Sequence, residues 1–193
     1  MKKGNHEDTF EFFMFLFSQL SEDCSFELPR PQIMTEREKS WYSQLGGRSS
    51  YFIDLMHYQL KNTKVCWRCQ KPNYTFDNDN TLMLPIPEKR ENCNLEYMLK
   101  EYMKENLVVD YSCVECKTVV TIVNIKDIVQ DPAILIILLK RYMVIGDGSY
   151  KKDEANISFP INDLHFGNSI YKLYAIPQHS GSMVAGHYYA RFY

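Results

Sequence analysis

Several things are scarce in this chain, and each scarcity excludes something. An excess of charge of one sign is the first. The chain has 22 Lys and Arg against 24 Asp and Glu, for a formal net charge of −2 and a pI near 6.2. A surface so balanced gives no electrostatic case for a nucleic-acid partner. Long apolar runs come second. The stretch Phe12-Phe13-Met14-Phe15-Leu16-Phe17 falls far short of the roughly 20 residues that cross a bilayer. Lys2 and Lys3 ahead of it imitate a signal peptide, but His6, Glu7, Asp8 and Glu11 interrupt the approach and no small-residue cleavage site follows. Neither membrane insertion nor secretion is expected, so the Asn73 and Asn156 sequons read as ordinary turn and strand residues. Internal repeats and low-complexity tracts are also missing. What is present suffices for one folded domain: 45% hydrophobic and 14% aromatic residues over 193 positions.

Four of the six cysteines are paired in sequence. Cys66-Trp67-Arg68-Cys69 and Cys113-Val114-Glu115-Cys116 are two Cys-x-x-Cys knuckles with a long spacer between them. Two residues between thiolates let both sulfurs face one ion, and two such pairs complete a tetrahedral site for Zn²⁺. The spacer puts the knuckles on two hairpin-like arms that the metal ties together. Four protein ligands leave no open position, so the expected zinc is structural and does no chemistry. Two local disulfides or a redox pair would use the same residues. Metal-committed thiols suit a reducing compartment, which points to an intracellular, cytoplasmic or nuclear protein. Of the remaining thiols, Cys93 reads as a small buried residue and Cys24 follows the first helix.

Periodicity predicts a helix over 8–21, capped by Asp8 with Glu11 three residues on as a capping box. Its Phe-rich surface is greasy on more than one side and needs covering on more than one side. Residues 22–40 are polar, contain Pro29 and Pro31, and read as a loop. Phe52, Leu55, Met56 and Leu60 suggest a short helix leading into a strand at 60–65. Strands are expected at 73–76 and 81–86 around a turn Asp77-Asn78-Asp79-Asn80, which lacks the glycine and glutamate of a calcium loop. Asn94 caps a helix over 95–104, and 119–123 is a strand. The unbroken apolar run 133–139 predicts a strand buried on both faces. Gly146-Asp147-Gly148 signals a hairpin turn, and further strands are expected at 157–160 and 171–176, with a loop over 177–185.

These pieces also line up with a known family. Tyr171-x-Leu173-x-Ala175-Ile176-x-x-His179-x-Gly181, then Gly186-His187-Tyr188-x-Ala190, resembles the histidine box of the ubiquitin-specific proteases, the papain-like cysteine deubiquitinases. Leu138-Leu139-Lys140-Arg141-Tyr142 resembles that family's LxLKRF strand, and His6-Glu7-Asp8-Thr9-Phe10-Glu11-Phe12 its Gln-Gln-Asp box. The two knuckles have the place and order of the family's fingers. Residues 55–69 follow the segment leading into the first knuckle, although Tyr58 stands where glycine is usual.

The resemblance implies an α+β, hand-like fold of thumb, palm and fingers, present here in part: a thumb remnant at 1–60, the zinc-stapled fingers region at 61–125 and a palm with the histidine box at 126–193. It implies ubiquitin or a ubiquitinated protein as the partner. His187 would be the general base for a cysteine nucleophile. Asp8 and Glu11 would hold ubiquitin's basic tail, Tyr188 and Gly186 would line its last glycines, and His179 and Gly181 would belong to a loop over it. His6 and Glu7 depart from the family's two glutamines. The family's Cys box lies upstream of the Gln-Asp box, and its third triad residue lies downstream of the histidine box. Neither is found in these 193 residues, so the chain alone is expected to be inactive, either as a piece of an enzyme or as a non-catalytic ubiquitin-binding module. The Phe-rich helix is expected to be partly exposed and open to a partner.

Overall fold

The computed structural model describes residues 8–30, 32–88, 93–144, 146, 148–182 and 185–193; His6 and Glu7 lie outside them. Helix α1 (Thr9–Asp23) starts where the sequence places it. Asp8 Oδ1 accepts from the amides of Phe10 (2.7 Å) and Glu11 (3.3 Å), satisfying donors that a helix start leaves orphaned. Only part of α1 is covered: Phe17 and Ser21 are buried, whereas Phe12, Phe15 and Leu16 are 50%, 51% and 43% exposed.

The expected loop over 22–40 is a first correction. It holds strand β1 (Phe26–Glu27) and the start of helix α2 (Glu36–Gln44). Thr35 and Glu38 cap α2 reciprocally, with Thr35 N–H donating to Glu38 Oε2 (2.8 Å) and Glu38 N–H to Thr35 Oγ1 (3.3 Å). No residue of α2 is buried, so it lacks the apolar stripe by which helices are recognised, and its cap is the legible signal. Strand β2 (Arg48–Ser49) pairs with β1, and Ser50 caps the short helix α3 (Tyr51–Met56). His57 follows, wedged between Phe17 (ring centroids 5.7 Å apart) and Trp41 (6.4 Å).

The largest sheet is two hairpins side by side. Strands β3 (Tyr58–Cys66) and β4 (Pro72–Asp79) form one hairpin. The chain then passes through β5 (Leu82–Pro85) and helix α4 (Leu95–Met103), where Asn94 Oδ1 accepts from Tyr97 N–H at 2.8 Å. Strands β6 (Asn106–Cys113) and β7 (Thr118–Gln130) form the other hairpin. The strand order is β4-β3-β7-β6, with Gln59 to Cys66 registered on Gln130 to Ile122. The tetrad expected as a turn is strand through Asp79, because α2 lies along it. Ser40 Oγ and Gln44 Nε2 donate to Phe76 O (3.0 and 2.6 Å), and Asn78 N–H donates to Gln44 Oε1 (2.9 Å). These side chains serve as a partner for an edge that would otherwise be open.

The core has two parts. The larger gathers Leu60, Leu82, Leu84, Met98, Ile128 and Phe166 among others, and the smaller holds Cys66, Cys113 and Ile122. Between them lies a polar belt of buried Asn62 and Asn124. Asn62 Nδ2 donates to Asp77 Oδ2 at 2.7 Å, and Asn124 Nδ2 reaches Asn62 Oδ1 at 3.4 Å and Asn106 Oδ1 at 3.5 Å.

Strand β8 (Ile137–Lys140) lies parallel to β5. The apolar run 133–139 is strand only in its second half, and 137–139 are half-buried rather than covered on both faces. Among the described residues β8 has β5 as its one strand neighbour. Strands β9 (Tyr142–Val144) and β10 (Tyr150–Lys152) form the hairpin that the glycines signal, with Gly148 at φ +80°. The expected strand at 157–160 amounts to one bridge, Asn94 to Ser158, since Pro160 has no N–H to extend it. Strands β11 (Leu164–Phe166) and β12 (Ser169–Tyr171) pair, and the chain breaks at 172–174 instead of running on as one strand to 176. Much of the loop expected over 177–185 is instead strand: β13 (Ala175–Gly181) pairs with β14 (Gly186–Phe192). A two-stranded sheet has only edge strands, where Pro177 is tolerated.

No helix among the described residues is long and apolar enough to cross a membrane.

Candidate functional site

Both long hairpins turn at a Cys-x-x-Cys pair. Cys66 ends β3 and Cys113 ends β6, with Cys69 and Cys116 in the turns that follow. The turns share one geometry. Gln70 N–H donates to Cys66 O (2.9 Å) and Lys117 N–H to Cys113 O (2.8 Å), and Gln70 and Lys117 both take positive φ, +57° and +53°. The four Sγ atoms lie within 4.8 Å of one another, with Cys66–Cys116 and Cys69–Cys113 each at 3.9 Å. Metal–sulfur bonds of about 2.3 Å in a tetrahedron set sulfur–sulfur edges of about 3.8 Å, so the four thiols fit one ion with little movement. All six cysteines are free, and the 3.9 Å sulfur separations are metal-edge distances rather than the roughly 2.05 Å of a disulfide. The N–H groups of Cys69 and Arg68 favour the Cys66 thiolate and bring its pKa down to about 7, while burial pushes Cys116 up to about 12. A cation at their centre would relieve that opposition.

The histidine box is the β13–β14 hairpin. His179 is registered on Tyr188, Ser180 on His187 and Gly181 on Gly186. Strand alternation therefore puts His179, Gly181, Gly186 and Tyr188 on one face, and Ser180 and His187 on the other. On the first face the His179 and Tyr188 rings lie 4.6 Å apart. A Cβ on Gly186 would overlap His179 Nε2, and one on Gly181, which sits at φ +128°, would come within 2.5 Å of Ala185 O. Both positions need glycine. Tyr188 Oη donates to Asp8 Oδ2 at 2.5 Å. Burial first, then the Asp8 hydrogen bond, hold this phenol above its ordinary pKa.

Asp8 thus uses one oxygen to cap α1 and the other to fasten the hairpin. Glu11 is exposed in the first turn of α1, and His187 is exposed on the opposite face of the hairpin from Tyr188. Cys24 is exposed at the C-terminal end of α1, and Cys93 is buried in the larger core. One residue that sequence reasoning missed is Lys152 on β10. Its Nζ lies 3.1 Å from His179 Nδ1, 3.1 Å from His179 O and 3.0 Å from Gly181 O. No motif announced it, since a lone lysine beside a hairpin turn reads as solvent-facing.

A sequence model described as ubiquitin carboxyl-terminal hydrolase matches residues 1–193. The chain belongs to the ubiquitin carboxyl-terminal hydrolase family. Its resemblance to the ubiquitin-specific proteases is carried by individual relatives. Bovine ubiquitin carboxyl-terminal hydrolase 21 is 31% identical over 167 residues, covering 78% of this chain and 29% of that protein. Chicken ubiquitin carboxyl-terminal hydrolase 2 is 29% identical over 208 aligned positions, covering 96% of this chain and 58% of that protein. Among solved structures, a SAGA DUB module bound to monoubiquitin superposes with a TM-score of 0.70 at 25% identity, over 96% of this chain and 40% of its counterpart. A yeast SAGA DUB module with substituted Sgf73 gives 0.71 at 26% identity, over 95% and 42%. The chain therefore spans between about a third and somewhat over half of these hydrolases.

Proposed function

We propose that this chain supplies the ubiquitin-holding palm and fingers, and the general base, of a thiol-dependent ubiquitin hydrolase. The observation that carries this is the Asp8–Tyr188–His179 contact, which joins α1 to the histidine-box hairpin across nearly the whole length of the chain. A carboxylate and a phenol meet there beside the exposed glycines Gly181 and Gly186, a setting suited to a basic tail ending in small residues. Asp8 and Glu11 would hold the tail's guanidinium groups by charge-assisted hydrogen bonds, and Tyr188 and Gly186 would line the passage of its last residues, with His179 and Gly181 closing over it. His187, on the other face, would take the proton of an attacking thiol and return it to the leaving amine. The four clustered cysteines would hold Zn²⁺ as a crosslink between the finger tips. We divide the chain into 1–60 on the thumb side, 61–125 as fingers and 126–193 as palm, and read the protein as intracellular, consistent with free thiols.

Four thiols are grouped for a metal, Cys93 sits in the core and Cys24 lies at the far end of α1. We therefore read the 193-residue chain by itself as binding ubiquitin without turnover. The test is hydrolysis of ubiquitin carrying a fluorogenic C-terminal group, run beside His187→Ala, with a ubiquitin-binding titration on the same sample. No release together with saturable binding is expected. Release that depends on His187 would show a competent thiol in the chain, and folded protein that does not bind ubiquitin would overturn the ubiquitin reading.

A further inference from the structure

We propose that Lys152 is a positioning residue for the histidine-box hairpin: its ammonium fixes His179 as the Nε2–H tautomer and thereby holds the Tyr188 ring and its hydroxyl on Asp8. This rests on the reading of that hairpin as the ubiquitin-tail site. An ammonium has three N–H donors and no acceptor, and Lys152 meets three acceptors at 3.0–3.1 Å: His179 Nδ1, His179 O and Gly181 O. A donor facing Nδ1 requires the lone pair there, so the ring proton sits on Nε2. The two carbonyls belong to the last turn-proximal residues of β13, so one side chain grips both the backbone and the ring of this strand end. The half-buried position of Lys152 strengthens contacts that would be slight in open water.

Each contact passes to the next. The gripped His179 ring lies over Gly186, where a side chain would overlap it, and 4.6 Å from the Tyr188 ring. Tyr188 then reaches Asp8 at the start of α1. Register continues the arrangement to the other face, because Ser180, between the two gripped carbonyls, is the partner of His187. Lys152 itself is registered on Tyr142 across the β9–β10 hairpin. The palm hairpin, the histidine-box hairpin and α1 are thus linked through one ammonium, one imidazole and one phenol.

Ring-nitrogen NMR of His179 in the 193-residue chain tests this without reference to ubiquitin. The unsubstituted protein is expected to show a single Nε2–H tautomer. Lys152→Met is expected to give a mixture or the Nδ1–H form, and Lys152→Arg, which keeps donors, to restore the original pattern. An unchanged tautomer in a folded Lys152→Met protein overturns the proposal. Where Lys152→Met does not fold, Lys152→Ala, which likewise has no side-chain donor, carries the same comparison. In a ubiquitin titration, Lys152→Met is expected to weaken binding about tenfold, as loss of a charge-assisted contact predicts, with recovery in Lys152→Arg. Loss of affinity that Arg does not rescue also overturns the proposal. Absence of binding by the unsubstituted chain would refute the ubiquitin reading and leave the tautomer measurement to decide the role of Lys152.

Discussion

Asp8 shows how one side chain can answer two readings at once. Its acidic character at a helix start is explained by capping alone, yet its second oxygen is taken by Tyr188, 180 positions away. Removing either partner should therefore have unequal effects. Tyr188→Phe is expected to cost about 1.5–3 kcal/mol, the range for a hydrogen bond to a charged group. Asp8→Ala is expected to cost about 1 kcal/mol more, because it also uncaps α1. Urea denaturation of both variants and of the double variant measures this, and an Asp8→Ala cost no larger than that of Tyr188→Phe would contradict the shared role. The roles proposed for Asp8, His187 and the cysteines were legible as residue types in ordered motifs. The Lys152 grip was not, because a single lysine carries no pattern until folding brings β10 against β13.

Elements were legible where an apolar stripe or a cap was strong. Helices α1 and α4 and the β3 and β7 strands fall near their expected places. The misses share a cause: tertiary neighbours decided them. Helix α2 buries nothing fully, and β4 runs on through Asp79 because α2 supplies its edge with partners. His57 joins α1 to α2 and gives the joint a pH dependence. Burial holds its imidazole below the ordinary value of 6.5, outweighing the opposite pulls of Asp79, the Ile53 backbone and Asp54. The unfolded chain then binds the proton more readily than the folded one, so stability falls as pH drops below about 6.5. Urea midpoints measured at pH 7.5 and 5.5 should decline toward acid, and His57→Phe should flatten that slope; an equal slope in both proteins would assign it elsewhere.

The four-stranded sheet divides at the Asn62–Asn124 belt, and this changes what loss of an ion held by the four cysteines should do. The spacing of the knuckles suggested two hairpin-like arms tied together by a metal, and the structure joins the two hairpins by the β3–β7 ladder as well. Chelation is therefore expected to speed amide exchange around Trp67 and Val114 while α4 and β5 stay protected. Loss of protection throughout the chain would show that the metal supports the whole fold.

At the scale of the molecule, the surface of α1 matters most. Phe12, Phe15 and Leu16 are exposed on one helix, and Phe26, Tyr51 and Leu55 are exposed on β1 and α3, with the Phe26 and Tyr51 rings 5.9 Å apart; exposed apolar side chains of this kind mark contact surfaces or association liabilities where they adjoin. Phe12→Ser with Phe15→Ser is expected to shift stability by about 0.5 kcal/mol or less, as for exposed sites generally, and to lower self-association in sedimentation experiments. A large loss of stability would mean that these rings are packed in solution.

The paired base of the four-stranded sheet has a consequence for how such a molecule can vary. The polypeptide runs toward the cysteine turns along β3 and returns along β4, then runs out along β6 and returns along β7, with Gln59 beside Gln130 at the root. Entry and exit points are thereby fixed by the stem, whatever lies beyond it. Adding or removing paired residues beyond Asn62 and Asn124 would alter the reach and surface of the cysteine end of the sheet, while the core at the root receives the chain at the same places in the same order.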